Sequence, residues 1–305
     1  MKIMRVALAA LAVTGLAVTG NLAVSSAFAA ARPAAARPAA ARPVAARPAP
    51  AGRLPGAGFP ALARADVRGS AAPVKSPDWA GWADTPATGT AFTSIAASFV
   101  IPAVNCADSN YKGATADGSD YTYWWAGLDG CENFALEQAG IGSQCTGPTA
   151  APQYFAFYQM FPRQLVTENT AVTAGDHVTL LVQYTKAGRY LLKVTDATAK
   201  TGFTTYQKCT GDCQRASAEV ITEAPGGGVA DGFPLAAFSP VSFTGASVSA
   251  TDGARTAHRF GLTTDPGFWT GNKMVMVTSH GRHLASVSGL KGHGRDFTVT
   301  FRASS

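Results

Sequence analysis

Residues 179–194 read TLLVQYTKAGRYLLKV. Two runs, Thr179–Tyr184 and Tyr190–Val194, are rich in aliphatic, aromatic and β-branched side chains, and Lys186-Ala187-Gly188 stands between them. Two such runs around a short glycine-containing break predict a β-hairpin. The pattern spreads outward from there. Tyr154, Ala156, Tyr158 and Met160 alternate with Phe155, Phe157, Gln159 and Phe161, and Met274–Val277 and Phe297–Phe301 repeat the style. Ala174-Gly175-Asp176, Thr210-Gly211-Asp212, Pro225–Gly228 and Ser279-His280-Gly281 punctuate the runs as turns. No long stretch carries a 3.6-residue apolar period, so the chain reads as an all-β sandwich or barrel. Residues 78–305 show no composition break and are read as one domain.

The N-terminal quarter reads differently. Lys2 and Arg5 precede an apolar run, and Ala27-Phe28-Ala29 has the small-x-small form of a cleavage site, so residues 1–29 are expected to be a signal peptide. Residues 30–77 are expected to be an Ala/Arg/Pro-rich propeptide or spacer. Arg-Pro recurs at 32, 37, 42 and 47, and a proline every five residues blocks a helix. The formal charge of +6 hides an asymmetry. Residues 1–77 hold ten Lys/Arg and one acid (+9), whereas the remainder holds 15 Lys/Arg and 18 Asp/Glu (−3). The basic character therefore belongs to the leader, and a nucleic-acid partner is not expected for the folded part. No later stretch has the ~18 apolar residues of a membrane span. A secreted, extracellular monomer follows.

The usual hydrolase signatures are absent. The chain has no G-x-S-x-G, no H-E-x-x-H, and neither Asp-Thr-Gly nor Asp-Ser-Gly. His280-x2-His283, with His293 nearby, lacks a carboxylate partner and straddles a turn, so no metal or other cofactor is expected. The five cysteines, at 106, 131, 145, 209 and 213, belong to an exported chain and are read as mostly structural. The expected disulfides are Cys106–Cys145 and Cys209–Cys213, leaving Cys131 over.

Several short segments, in order, resemble the glutamic peptidase (eqolisin) family. Asp78-Trp79-Ala80-Gly81-Trp82 is similar to the family's opening N-W-A-G-Y, and Trp125–Gly130 to W-V-G-[IL]-D-G. Glu137-Gln138-Ala139-Gly140 resembles Q-[TA]-G, and Tyr154–Pro162 resembles Y-x-A-W-Y-E-M-Y-P. Ser217–Pro225 resembles S-A-E-W-I-x-E-A-P, and the likeness continues through Phe238–Ala246 and the last hairpin. The resemblance implies an antiparallel double-sheet β-sandwich of concanavalin A-like or jelly-roll type. It also implies an acid-favouring endopeptidase, made as a proenzyme, that acts on protein or peptide substrates. A rival disulfide, Cys131–Cys213, is also suggested by family members with cysteines near both positions.

By this resemblance Gln138 and Glu219 are the catalytic pair. The chemistry suits them: an ionised glutamate takes a proton from water and passes it to the leaving amine, and a glutamine N–H stabilises the oxyanion without adding charge. Trp125 and Asp129 are expected to support the cleft. Three positions depart from the family pattern: Gln159 stands where a glutamate is usual, Phe157 where a tryptophan is usual, and Asp78 where an asparagine is usual. A second reading is a non-catalytic sandwich module that binds carbohydrate through Trp79, Trp82, Trp124 and Trp269. A third is a degenerate peptidase homologue acting as an interaction protein.

Overall fold

The alternating runs resolve into eighteen strands in a computed structural model that describes residues 72–109, 118–131, 133–225, 234–252, 257–263, 265 and 267–304. The first six are β1 (Val74–Ser76), β2 (Trp79–Pro86), β3 (Ala91–Val100), β4 (Val104–Asn105), β5 (Asp120–Leu128) and β6 (Leu136–Cys145). Next come β7 (Gln153–Phe161), β8 (Val166–Glu168), β9 (His177–Lys186), β10 (Arg189–Asp196), β11 (Thr201–Lys208) and β12 (Ala218–Glu223). The last are β13 (Ala237–Phe238), β14 (Val241–Thr251), β15 (Ala257–Phe260), β16 (Trp269–Val277), β17 (His283–Val287) and β18 (Phe297–Phe301). The leader and most of the spacer lie outside the described residues. No helix among the described residues is long and apolar enough to cross a membrane.

The hairpin read at 179–194 is β9–β10, and Ala187 and Gly188 both have positive φ (49° and 70°). Such a two-residue turn matches the right-handed twist of the strands it joins. One sheet runs β11-β10-β9-β3-β14, with β15 also on β14. The other runs β18-β17-β16-β2-β12-β5-β6-β7-β8. They share β14: Val241–Phe243 pair with β18, whereas Thr244–Thr251 pair with β3 across a register shift. Gly245 (φ 62°) sits at that corner, where a strand leaves one sheet for the other. The result is an antiparallel β-sandwich.

Val178, Leu180 and Val182 of β9 and Tyr190, Leu192 and Val194 of β10 pack inward. They meet Trp124, Ala126 and Leu128 of β5, Ala139 and Ile141 of β6, and Val220 of β12 in the main core. Strands β5, β6 and β12 are buried at every residue, so alternation there does not mark a wet face. Their outward side carries a second apolar cluster that includes Trp79, Tyr121, Tyr123, Trp125, Phe155, Phe157 and Ile221.

The disulfides are Cys106–Cys145, at the end of β6, and Cys209–Cys213, in the loop before β12. Cys131 is buried and belongs to neither.

The folded chain begins before residue 78. Strand β1 pairs in parallel with Met274–Met276 of β16, and Val74 joins the outward cluster. The Ser76 hydroxyl donates to Asp78 Oδ1 (2.8 Å) and accepts from the Trp79 N–H (3.0 Å). This turn sets the entry of β2, which pairs with β12. A chain starting at Asp78 loses the β1 pairing and both Ser76 bonds. It is expected to melt about 4 °C or more below one starting at Ala72, since each lost bond costs roughly 1 kcal/mol. N-terminal sequencing of the purified active protein should accordingly find a start no later than Val74. A start at Asp78 with unchanged melting would refute this.

Acid groups are buried with the apolar ones. Asp78 is pushed up to about 7 by desolvation, against the opposing Ser76 hydrogen bond. Burial also raises Asp84 and Glu137 well above the carboxylate range. These folded-state values lie above the unfolded ones. The stabilisation is therefore complete below about pH 4 and is lost as pH rises toward 7. Thermal melting should peak near pH 3–4 and fall by about 10 °C or more by pH 7. Asp78→Asn, which keeps the Ser76 bond and cannot ionise, should flatten that slope; an unchanged slope would remove Asp78 as its source.

Candidate active site

Side chains on alternate residues of a strand share a face. In β12 this separates Ala218, Val220 and Thr222 from Glu219, Ile221 and Glu223. The first set joins the main core, and the second faces outward. In β6 the outward set is Leu136, Gln138, Gly140, Gly142 and Gln144. The antiparallel register then aligns one residue from each of five neighbouring strands. Ala83 pairs with Glu219, Glu219 with Gly127, Gly127 with Gln138, and Gln138 with Gln159. Glu219 and Gln138 therefore stand two strands apart, about 10 Å between their Cα atoms at ordinary strand spacing.

The residue between them has no side chain. A Cβ on Gly127 would lie 2.9 Å from Leu136 Cδ1, 3.0 Å from Trp125 Cζ3 and 3.2 Å from the Glu137 carbonyl oxygen. The glycine thus lets the Trp125 ring and Leu136 close in over the row between the acid and the amide. One step along the face, Ile221 pairs with Trp125 and Trp125 with Gly140, which pairs with Phe157. Trp125 packs edge-on against Trp79 at 5.0 Å between ring centroids. Its indole Nε1 donates to Glu223 Oε2 at 2.6 Å.

Glu219 has no solvent exposure, and neither of its oxygens is in hydrogen-bond geometry with a partner among the described residues. Its carboxyl is held well above the usual range, first by desolvation and then by the charges of Asp129 and Asp84; the neighbouring Ser217 hydroxyl offsets part of this. Gln138 is equally buried, and its Nε2 donates to Gln159 Oε1 at 3.1 Å. Gln159 Nε2 in turn donates to the Arg163 carbonyl at 2.8 Å. A carboxyl raised above its usual range and an amide whose nitrogen is bonded to Gln159 therefore stand in one row, with Gly127 between them. Such a pair can activate water and stabilise an oxyanion.

The structure gathers Gln138, Glu219, Trp125 and Gln159 on one face. Asp129 lies elsewhere, in the turn after β5, with φ 68°. Its carboxylate accepts from Asn133 Nδ2 (2.8 Å) and from the N–H groups of Arg215 (2.8 Å) and Ala216 (2.7 Å). It binds the start of the β12 segment to the end of β5 and does not line the row. Sequence reading passed over three contributors. Glu223 is four residues from Glu219, so strand parity alone puts it on the same face. Gly127 shows only once the register is known. Glu137 points inward beside Asp129 and Tyr190, where an acid between Leu136 and Gln138 reads as a solvent-facing residue.

The proposed sugar platform does not form. Trp79, Trp124 and Trp269 are buried, in two different clusters, and Trp82 is half-buried against the main core. Among the described residues no group of three or more His, Cys, Asp or Glu is arranged to hold a metal ion.

Comparison with known proteins bears on the fold and the family. Scytalido-glutamic peptidase, solved with a peptide-based transition-state analogue, is 18% identical; the alignment covers 73% of this chain and 98% of that one, with a TM-score of 0.51. SCP-B, an eqolisin solved with the tripeptide Ala-Ile-His, is 17% identical over the same shares, with a TM-score of 0.50. These likenesses establish the fold. Curated protein sequences give no match. The Peptidase A4 family profile matches residues 77–287. With more than two thirds of its length matched, the chain belongs to the Peptidase A4 family and is a glutamic-type endopeptidase.

Proposed function

We propose that this peptidase is secreted, favours acidic pH, and cuts peptide bonds with water activated by Glu219 and an oxyanion held by Gln138. The observation that carries the reading is the register row in which Glu219 and Gln138 flank Gly127 on one face. A substrate carbonyl that enters between the two side chains displaces Leu136 and the Trp125 ring from over Gly127. Glu219 removes a proton from water, and the oxygen attacks the carbonyl carbon. The Gln138 N–H takes the charge on the carbonyl oxygen. Glu219 then returns the proton to the amine nitrogen as the C–N bond breaks, giving one carboxyl and one amine product. Both side chains are fully buried in the whole chain, so substrate reaches them only when the face opens.

Glu219→Gln keeps the shape and removes the proton acceptor. Cleavage of a denatured protein should drop about 10²–10⁴-fold. Gln138→Ala should cost about 10²–10³-fold, and the double variant less than the product, because both act on one transition state. Near-wild-type turnover by folded Glu219→Gln would end the assignment.

The electrostatics give a second test. A base whose pKa is raised loses function as pH falls through that raised value. The acid limb of kcat/KM should therefore lie above the ordinary glutamate value of about 4.3. Asp84 contributes to the rise through its charge. Asp84→Asn should move the acid limb to lower pH while leaving the plateau rate nearly unchanged. A limb that does not move would show that Asp84 does not act on the base.

A further inference from the structure

We propose that Gln159 is a positioning residue that fixes which end of the Gln138 amide is the donor, and that its neutrality frees this orientation from pH. The inference rests on the catalytic reading of Gln138 given above. It starts from the Arg163 backbone carbonyl, which can only accept. Gln159 Nε2 donates to that carbonyl at 2.8 Å. The nitrogen end of the Gln159 amide is therefore turned toward Arg163, and its oxygen end toward β6. That oxygen can only accept, and it does so from Gln138 Nε2 at 3.1 Å. Polarity thus passes along the chain from a backbone carbonyl to the amide that must present N–H to the oxyanion. Gln159 is 1% exposed, so water does not compete for these bonds.

A glutamate at 159 would behave differently. Ionised, it would set a carboxylate oxygen against the Arg163 carbonyl, where lone pairs meet. Only the protonated acid reproduces the donor, and burial favours that neutral form. The relay would then last only while the acid keeps its proton.

The ionisable surroundings are few. On the same face are Glu219 of β12, beyond Gln138 and Gly127, and Glu223, bound to the Trp125 indole. Glu137 of β6 and Tyr158 of β7 belong to the opposite face by strand parity. Glu168 of β8 lies near Tyr158, and Arg163 follows in the turn after β7. Among the described residues none of these stands between Gln159 and its two partners.

The test compares wild-type, Gln159→Glu and Gln159→Leu protein secreted from the full chain. Gln159→Leu removes the relay and should lower kcat about 10- to 100-fold with KM changed less than about threefold, the signature of a misplaced group. Gln159→Glu should recover wild-type kcat at low pH. It should then lose activity through one added ionisation, moving the alkaline limb about one unit or more below that of the wild type. The Gln138 side-chain amide resonances give a readout independent of turnover. In the wild type they should follow only the ionisation of Glu219 in the same row, and in Gln159→Glu they should show one further step. Absence of that further step in Gln159→Glu, or a Gln159→Glu pH profile equal to the wild type, overturns the proposal, even if Gln159→Leu fails to fold. The further step in a protein that cleaves nothing would instead retain the relay and refute the peptidase assignment of Gln138.

Discussion

The chemistry of this sandwich depends on the register of four antiparallel strands. Pairing β12, β5, β6 and β7 so that Glu219, Gly127, Gln138 and Gln159 fall in one row also decides what is buried inside. A slip of one residue would send Glu219 into the main core and bring Val220 or Ala218 out. The core forbids this, because Ala126, Ala139 and Val220 pack against the inward rows of β9 and β10. Asp129 holds the join between β5 and the segment before β12 through two backbone N–H groups. The Cys106–Cys145 bond anchors the far end of β6. The placement of Glu219 and Gln138 is thus a by-product of ordinary hydrophobic alternation, held at both ends by polar and covalent ties.

The same face shows how one short strand gives two carboxyls different tasks. Glu219 and Glu223 share β12, its outward side and complete burial. Glu223 accepts a 2.6 Å hydrogen bond from the Trp125 indole and so fixes a ring. Glu219 has only the Ser217 hydroxyl to lower its pKa, and Asp129 and Asp84 add repulsion to its desolvation. Burial with so little support favours the neutral form of the carboxyl. Differences in environment, rather than in residue type, separate the acid that fixes a ring from the acid proposed to activate water.

Much of this was legible in the sequence. Period-two alternation and glycine breaks gave an all-β sandwich or barrel, the family resemblance pointed to the sandwich, and the β9–β10 hairpin lies where TLLVQYTKAGRYLLKV placed it. Parity puts Glu219 with Glu223, and Gln138 with Gly140. What could not be read is long-range. Alternation does not reveal that β5, β6 and β12 are covered on both sides, and so gives no sign that Glu137 and Asp84 are buried. It does not reveal that Gly127 falls between Glu219 and Gln138. The tryptophans looked like a sugar platform because composition cannot distinguish a stripe on one face from rings divided between two cores. Val74–Ser76 sits in a stretch whose alanine, proline and arginine content reads as spacer, yet its pairing partner is 200 residues away in β16.

The departures from the family pattern have a common physical direction. Gln159 puts an amide where a titrating acid is usual, directly against the Gln138 amide. Asp78 does the reverse at the entry to β2, placing a titrating acid where an amide is usual. Its carboxyl, pushed up to about 7, changes charge as pH rises toward neutrality. Ionising it places a buried charge in the turn that starts β2, the strand paired with β12, and Ala83 of β2 lies beside Glu219. The two exchanges thus move a pH-sensitive group away from Gln138 and to the entry of a scaffold strand, so the response to rising pH is expected in the stability of β2 rather than in the Gln138–Gln159 hydrogen bond.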